Sequence, residues 1–430
     1  MLKTKVIGTG AAGNSAVIEL LKEGILDKGD ILLVNSTNKD IPAEYEDMSA
    51  IYNRATGGAS KERSAAKELC LDALRNDKDF ISKIDGFLDP DTELLIFATS
   101  ASGGTGSGST PILAKYFDTV IRKAVPKLKI CIFPINGFED DVRELQNTLE
   151  FFQEIDPKFT VQSVSNKKFL DDGMTRTASE ISADKAFAEK VSIMIGKNIN
   201  YVDSKHNMDE SDLIKTSTTP GFMVTFRVPF TKLKNKDHFN KLVLDAIEND
   251  KSLDIPRQSI TRLGIITNIS DKSEEFVDYQ FPTVKSKLGN YYEIFIHDNK
   301  YDGGEEYVEF IASGLEMPID EIKEIYEKYK AETQTVVKDR DGFFDFMKDI
   351  GADANDKMFD IGANKKVAEE DVSNDFSKDD FFGSFVAKDD IFNTVNTNEP
   401  VKPLDTATDI LETKEVKNSK ANFKNTVKNF

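Results

Sequence analysis

Four glycines are interleaved with hydroxyl side chains in the stretch Ser102-Gly103-Gly104-Thr105-Gly106-Ser107-Gly108. The stretch follows an apolar run at residues 94–99, which predicts a strand, and precedes a helical pattern that starts near Pro111. Glycines let a backbone turn sharply, and the free N–H groups at a helix start favour a bound phosphate. The sequence therefore predicts a phosphate-binding loop. A flexible linker is the alternative interpretation. The position of the stretch between a buried strand and a helix argues against a linker.

A second glycine-rich segment lies near the N-terminus, as Gly8-Thr9-Gly10-Ala11-Ala12-Gly13. It follows a predicted strand and opens a helical pattern, and its spacing matches the dinucleotide fingerprint of Rossmann enzymes. Such enzymes have an acidic residue at the end of the second strand, where it holds a ribose hydroxyl. Asn35 occupies that position and Ser36 follows it, so the expected carboxylate is missing. An NAD-dependent Rossmann enzyme stays open as an alternative function.

Predicted strands and helices alternate from the N-terminus to about residue 180. The strands are nearly unbroken apolar runs, which are typical of a parallel sheet with both faces buried. This order predicts a doubly wound α/β domain. The strands lie at residues 4–8, 30–35, 94–99 and 129–134, and the helices at 14–22, 61–74 and 111–125.

The residue pattern and the composition of the chain change twice after this domain. A helical pattern at residues 182–199 leads into a smaller α+β domain at about 215–335. Residues 339–413 then contain 8 basic and 19 acidic residues, whereas residues 414–430 contain 5 Lys and 1 Glu. This composition predicts a disordered acidic tail with a basic tip. The smaller domain has predicted strands at 221–228, 262–268 and 291–297, and helices at 237–247 and 318–329.

The composition of the 430 residues excludes several classes of protein. A formal charge of −19 argues against a body that wraps nucleic acid. No apolar run approaches the ~18–20 residues that a membrane helix needs, so we expect no membrane span. Cys70 and Cys131 are too few for a disulfide framework. The three histidines are scattered, so no structural metal site is expected, and the chain is predicted to be cytoplasmic.

The two glycine loops together resemble the nucleotide loops of the tubulin/FtsZ superfamily, and the resemblance covers roughly residues 1–335. Residues 102–108 are similar to the family's G-G-G-T-G-T-G signature, with Ser102 and Ser107 as departures. The resemblance implies an α/β fold with a Rossmann-like GTPase domain at 1–181. A central helix and catalytic loop at 182–214 would join it to an activation domain at 215–338, with the tail at 339–430. GTP and GDP, with Mg²⁺, are the implied ligands.

The resemblance also assigns nucleotide contacts. A loop around Thr56 would reach the terminal phosphate, and Glu139 and Arg143 would hold the ribose region. Asp184 would read guanine through its N1–H and N2 amine, while the family's stacking aromatic would lie near Glu180, which is not aromatic. The implied nucleotide residues are Gly8, Gly10, Ala11, Ala12, Asn14, Asn35, Ser36, Thr56, Gly57, Gly58, Ser102, Gly103, Gly104, Thr105, Gly106, Ser107, Gly108, Pro134, Glu139, Arg143, Asn166 and Asp184.

Asn207-Met208-Asp209-Glu210-Ser211-Asp212 resembles the family's N-x-D-x-x-D catalytic loop. In that family the loop acts on the nucleotide of the next subunit in a filament. The resemblance implies that Asp209 and Asp212 are catalytic and that the chain is its own partner, head to tail. A carboxylate can accept a proton from water or orient it. Taken without the resemblance, an Asn/Asp-rich stretch is usually a solvated turn.

The tail favours one branch of the superfamily. It lacks the apolar-Pro peptide of cell-division FtsZ, and it ends in a basic, amphipathic stretch at 418–430. These features, with the divergent 102–108 loop, resemble the TubZ branch of phages and plasmids. The implied function is a filament that segregates DNA, contacted indirectly through a DNA-binding adaptor on the tail. A division or virion-positioning filament, and a nucleotide-binding regulator that never assembles, stay open.

Overall fold

The computed structural model describes residues 1–52, 59, 61–201, 206–254 and 260–349, with side chains up to Thr335. These residues belong to two compact units, Met1–Glu321 and a second that starts at Ile322. Thr56, Gly57 and Gly58 lie outside the described residues, as does the predicted tail from residue 350 onward.

The N-terminal part of the sheet is parallel throughout and has the strand order β3-β2-β1-β4-β5. Its central strands are buried on both faces, as their unbroken apolar runs predicted. Parallel strands end at one common edge, and both glycine loops leave the sheet there. The strands are β1 (Thr4–Thr9), β2 (Ile31–Asn35), β3 (Ser49–Ile51), β4 (Leu94–Ser100) and β5 (Lys129–Asn136).

Helices cover this sheet, and a central helix follows them. Phe133 on β5 packs edge-on against Phe187 of the central helix, with ring centroids 4.6 Å apart. Both rings are fully buried, so this contact lies in the core. The helices are α1 (Gly10–Lys22), α2 (Arg63–Asn76), α3 (Lys78–Asp85), α4 (Thr105–Thr119), α5 (Val142–Glu154), α6 (Asn166–Asp171) and α7 (Arg176–Met194).

The sheet continues into the second half of the chain. Short β6 (Thr160–Val161) pairs in parallel with β5 on one side and with β8 (Gly221–Phe230) on the other. The remaining order is β8-β11-β9-β10, in which β11 runs antiparallel to both of its neighbours. The other strands are β7 (Val164–Ser165), β9 (Ile260–Asn268), β10 (Tyr291–Asp298) and β11 (Glu306–Leu315).

The helices of this half are α8 (Glu210–Ser217), α9 (Lys236–Glu248), α10 (Asp271–Glu274), α11 (Pro282–Leu288) and α12 (Ile319–Asp349). None of the helices in the described ranges is long and apolar enough to cross a membrane.

Three details differ from the sequence-based expectation. The central helix begins earlier than residue 182, because Thr175 caps it by accepting from the Ala178 N–H at 3.3 Å. It ends at Met194, before Gly196 with its positive φ of 68°. Helix α12 runs to Asp349, past the tail boundary predicted at 338. Residues 319–349 contain no proline and a single glycine, so nothing in them breaks a helix.

Candidate active site

The two glycine loops form one cradle at the carboxyl edge of the parallel strands. Thr9 and Thr99 are register partners on neighbouring strands, so the loops that follow them meet. Gly10 has a φ of +71°, and a Cβ on it would lie 2.9 Å from the Gly106 nitrogen. A Cβ on Gly106 would lie 2.7 Å from the Thr9 carbonyl oxygen. Each loop therefore fits the other only because both positions are glycine.

Hydroxyl groups join this cradle to the ends of three strands. The Thr9 and Thr110 hydroxyl oxygens are 2.6 Å apart, and the Thr9 hydroxyl also donates to the Ala98 carbonyl at 3.3 Å. Ser36, just past β2, lies 3.1 Å from Thr105, the first residue of α4, hydroxyl to hydroxyl. These contacts bring the predicted residues of the first, second and fourth strands together in one site.

Asn147, which the sequence analysis does not identify, holds the second glycine loop through hydrogen bonds. Its side chain on α5 is almost fully buried and donates to the carbonyls of Ser102 at 3.0 Å and Lys61 at 3.1 Å. The Ser107 hydroxyl donates to the Gly103 carbonyl within the loop. With these carbonyls occupied, the loop has a fixed shape.

The predicted ribose residues lie at the same edge. Pro134 is on β5 opposite Thr99, and Glu139 follows that strand with a left-handed φ of 61°. A non-glycine residue rarely adopts this conformation, and such residues cluster at functional sites. Arg143, in the first turn of α5, pairs with Glu62 at 3.4 Å. Both Glu139 and Arg143 are half-buried.

The residues predicted to read the base contain unused hydrogen-bonding capacity. Asn166 begins α6 directly after β7, and its buried Oδ1 has no hydrogen-bond partner among the described residues. The same holds for Oδ1 of Asn14 on α1. Asp184 on α7 accepts from the Ser15 hydroxyl at 2.6 Å. Burial raises the pKa of the Asp184 carboxyl to about 6, although the bond from Ser15 opposes this shift. Buried acceptors of this kind suit a ligand that brings N–H donors.

The Asp209–Asp212 loop lies at the opposite edge of the sheet. The end of α8 and the chain just before β1 both bind the end of the central helix α7. Ser217 at the end of α8 donates to the Met194 carbonyl at 2.6 Å, while the Leu2 N–H donates to the Ile195 carbonyl. The six residues of β1 span about 20 Å between the two edges.

The two predicted catalytic carboxylates have different surroundings. Asp209 caps α8 by accepting from the Asp212 N–H at 2.8 Å. The Asp212 side chain is 27% exposed, and the Lys215 ammonium lies 3.7 Å from it. Within the described ranges, no group of three or more His, Cys, Asp or Glu side chains is arranged to hold a metal ion.

Comparison with known proteins identifies the fold and the N-terminal domain. Residues 3–171 match the Tubulin/FtsZ family, GTPase domain. The chain is 26% identical over 283 residues to the mitochondrial division protein fszB of Dictyostelium discoideum, over 62% of this chain and 70% of that protein.

Solved structures with the same fold include a TubZ protein and a CetZ protein. TubZ of Clostridium botulinum phage c-st has 18% identity and a TM-score of 0.57, over 77% of this chain and 99% of that one. CetZ2 of Haloferax volcanii, in a GTPγS-bound protofilament, has 16% identity and a TM-score of 0.61, over 77% and 100%. The chain therefore has the tubulin/FtsZ fold, which confirms the predicted fold class, and its residues 3–171 are similar to the GTPase domain of that family.

Proposed function

We propose that this chain, with its tubulin/FtsZ-family GTPase domain, is a GTPase that assembles head to tail and hydrolyses GTP where consecutive subunits meet. The observation that carries the proposal is the separation of the glycine cradle from Asp209 and Asp212 by the length of β1, about 20 Å. A carboxylate at that distance cannot act on its own subunit's phosphates. In a head-to-tail contact, the carboxylate edge of one subunit meets the cradle edge of the next.

The cradle supplies what a nucleoside triphosphate requires. Backbone N–H groups at the starts of α1 and α4 would hold the phosphates. The unpartnered Oδ1 atoms of Asn14 and Asn166 and the ionised Asp184 would accept N–H donors. Guanine offers N1–H and an N2 amine to such acceptors, whereas adenine does not. The match of residues 3–171 to a GTPase domain also favours GTP over NAD.

The two aspartates have different roles in this mechanism. Asp212, whose carboxylate is not the cap of α8, orients the attacking water and accepts its proton. Asp209 fixes the start of α8 and so positions Asp212. Mg²⁺, when bound with the nucleotide, offsets phosphate charge and is expected to be held largely by phosphate oxygens and water.

Head-to-tail contact is heterologous, so it produces open filaments. The CetZ2 relative was solved as a protofilament. Within this proposal, the N-terminal domain and Asp184 of the central helix bind nucleotide, residues 207–212 form the catalytic loop, and residues 215–338 form the activation domain. Turnover per subunit then depends on protein concentration, since each site needs two subunits.

For the biological role, we propose segregation of phage or plasmid DNA through an adaptor on the basic tip at residues 414–430, which lies outside the described residues. The likeness to the phage c-st TubZ structure supports this role at the level of the fold. A division filament is the second candidate, and the identity with the mitochondrial division protein fszB favours it.

The proposal is tested by 90° light scattering and phosphate release with GTP and Mg²⁺, for wild type and Asp212→Ala. We expect wild-type scattering to rise with GTP and later decay, and the variant's to rise and persist with little phosphate released. Asp237→Ala removes an exposed acid from the first turn of α9 and serves as a matched control. Absence of GTP-dependent scattering in wild type over a wide concentration range would contradict the filament proposal.

A further inference from the structure

The chain between α7 and α8 is held by three consecutive residues at the end of β10. We call His297, Asp298 and Asn299 the β10 clamp. They belong to the second half of the sheet, about 100 positions from the segment that they bind. That segment leads directly into the catalytic loop at residues 207–212.

The clamp binds the upstream part of this connection through backbone groups. Asn299 Nδ2 donates to the Asn198 carbonyl at 2.8 Å, and its Oδ1 accepts from the Asn200 N–H at 2.8 Å. His297 is fully buried, and its Nε2 lies 3.0 Å from the Asn200 carbonyl oxygen. A carbonyl only accepts, so the imidazole proton is on Nε2.

The clamp binds the downstream part through a charge-bearing side chain. Asp298 Oδ2 lies 2.5 Å from His206 Nδ1, and the Asp298 N–H donates to the His206 carbonyl at 3.1 Å. The Thr267 hydroxyl donates to the other carboxylate oxygen at 2.7 Å. The Asp298 side chain is only 14% exposed. The carboxylate is therefore held in place by the sheet, whereas the His206 side chain is 64% exposed.

We propose that the β10 clamp is the positioning device of the catalytic loop, with His206 and Asp298 as its principal pair. This inference rests on the proposed function, because it gives the clamp a role only if Asp209 and Asp212 act in a filament. His206 is three residues before Asp209, the cap of α8, so a change in its position reorients the start of that helix. The clamp thus links the sheet of the second half to the carboxylates that face the neighbouring subunit.

The decisive variants are His206→Ala and His206→Asn. Alanine removes the bond to Asp298, whereas the asparagine Nδ2 takes the place of the imidazole Nδ1 donor. We expect alanine to lower kcat about three- to tenfold. His206 is largely exposed, so the loss should exceed that of an exposed ion pair but stay below that of a buried charge-assisted hydrogen bond. KM for GTP, GTP affinity and the amount of pelleted polymer should stay unchanged. Asparagine should restore most of the lost kcat.

Two further variants make the test specific. Thr267→Val removes one bond to Asp298 without changing the shape of the side chain, and it should lower kcat by less than His206→Ala. Lys287→Ala breaks the exposed Lys287–Glu248 pair, which has no contact with the clamp, and should leave kcat unchanged.

The outcomes separate the inference from the proposed function. If wild type shows no GTPase activity that depends on assembly, the proposed function fails. If wild type shows it and His206→Ala equals wild type, the clamp has no positioning role. Loss of polymer in His206→Ala, with GTP binding and melting temperature retained, would assign the pair to assembly and overturn the inference.

Discussion

Ser15 on α1 donates a 2.6 Å hydrogen bond to the Asp184 carboxylate on α7, and thereby joins the first glycine loop to the central helix. Burial raises the pKa of this carboxyl from 3.8 to about 6. The charge of Asp184 therefore changes within a range that a binding assay can reach. If the carboxylate accepts from guanine, its protonation removes that acceptor.

The first prediction concerns pH. GTP affinity should fall as pH is lowered through about 6, because the acid form of Asp184 no longer accepts two N–H bonds. The measurement is the Kd of a fluorescent GTP analogue between pH 5 and 8. Asp184→Asn should bind more weakly at pH 7 and lose this pH dependence. Because burial penalises the charge of Asp184, the variant should not lower the melting temperature of the nucleotide-free protein. An unchanged pH profile in the variant would contradict this role.

The second prediction concerns the cradle. In Gly106→Ala the new Cβ would lie 2.7 Å from the Thr9 carbonyl and 2.6 Å from the Thr99 hydroxyl, so one loop must move. Overpacking of this kind costs about 1–3 kcal/mol, and GTP affinity should fall by about 5- to 150-fold. Equilibrium binding is the measurement. Gly29→Ala is the control, since a Cβ there meets nothing within 4 Å. Equal affinity for both variants would show that the contact of the loops does not matter for binding.

The sequence allowed the strands and the cradle to be predicted, because each signal is local. An apolar run buried on both faces, followed by glycines and a helical pattern, specifies strand, loop and helix within about 15 residues. Asn147 and the β10 clamp could not be found this way. Their bonds to Ser102 and His206 join residues far apart in sequence, and only tertiary packing brings them together.

The role of Asp209 as a helix cap can be predicted from the sequence. An aspartate followed three residues later by an acidic residue is a common helix start. The resemblance to a catalytic motif predicts a loop at residues 207–212, whereas in the structure α8 begins at Glu210. The structure makes Asp209 a cap, and this function is compatible with the catalytic role that stays a prediction.

The third prediction concerns a buried ion pair in the second half of the sheet. Glu309 on β11 is fully buried and accepts from Arg227 at 2.6 and 3.0 Å and from Asn198 at 2.8 Å. Glu309→Ala leaves the half-buried guanidinium without this partner and should lower the free energy of unfolding by about 3 kcal/mol. Urea denaturation measures it. Glu293→Ala removes the partner of Arg262 in a more exposed pair and should cost about 1 kcal/mol or less. Equal losses of unfolding free energy would mean that burial does not determine how much an ion pair contributes to stability.

The fourth prediction tests whether each active site is shared between two subunits. Asp212→Ala keeps the cradle and loses the carboxylate, whereas Gly106→Ala has a cradle that binds GTP more weakly and keeps the carboxylate. At a GTP concentration below the Kd of Gly106→Ala, each variant alone should release little phosphate. In a mixture, the cradle of an Asp212→Ala subunit can meet the Asp212 of a Gly106→Ala subunit, so one complete site forms at that contact.

The mixture should therefore hydrolyse GTP faster than the sum of the two variants measured separately at the same total concentration. Phosphate release is followed while the ratio of the variants is changed, and the rate should pass through a maximum at an intermediate ratio. A mixture of Asp212→Ala with the double variant Gly106→Ala/Asp212→Ala is the matched control, because no contact in it is complete. If both mixtures give the same rate, the carboxylate and the cradle do not work across a subunit contact. In that case, a mechanism within a single subunit would have to bridge the roughly 20 Å between the two edges of the sheet.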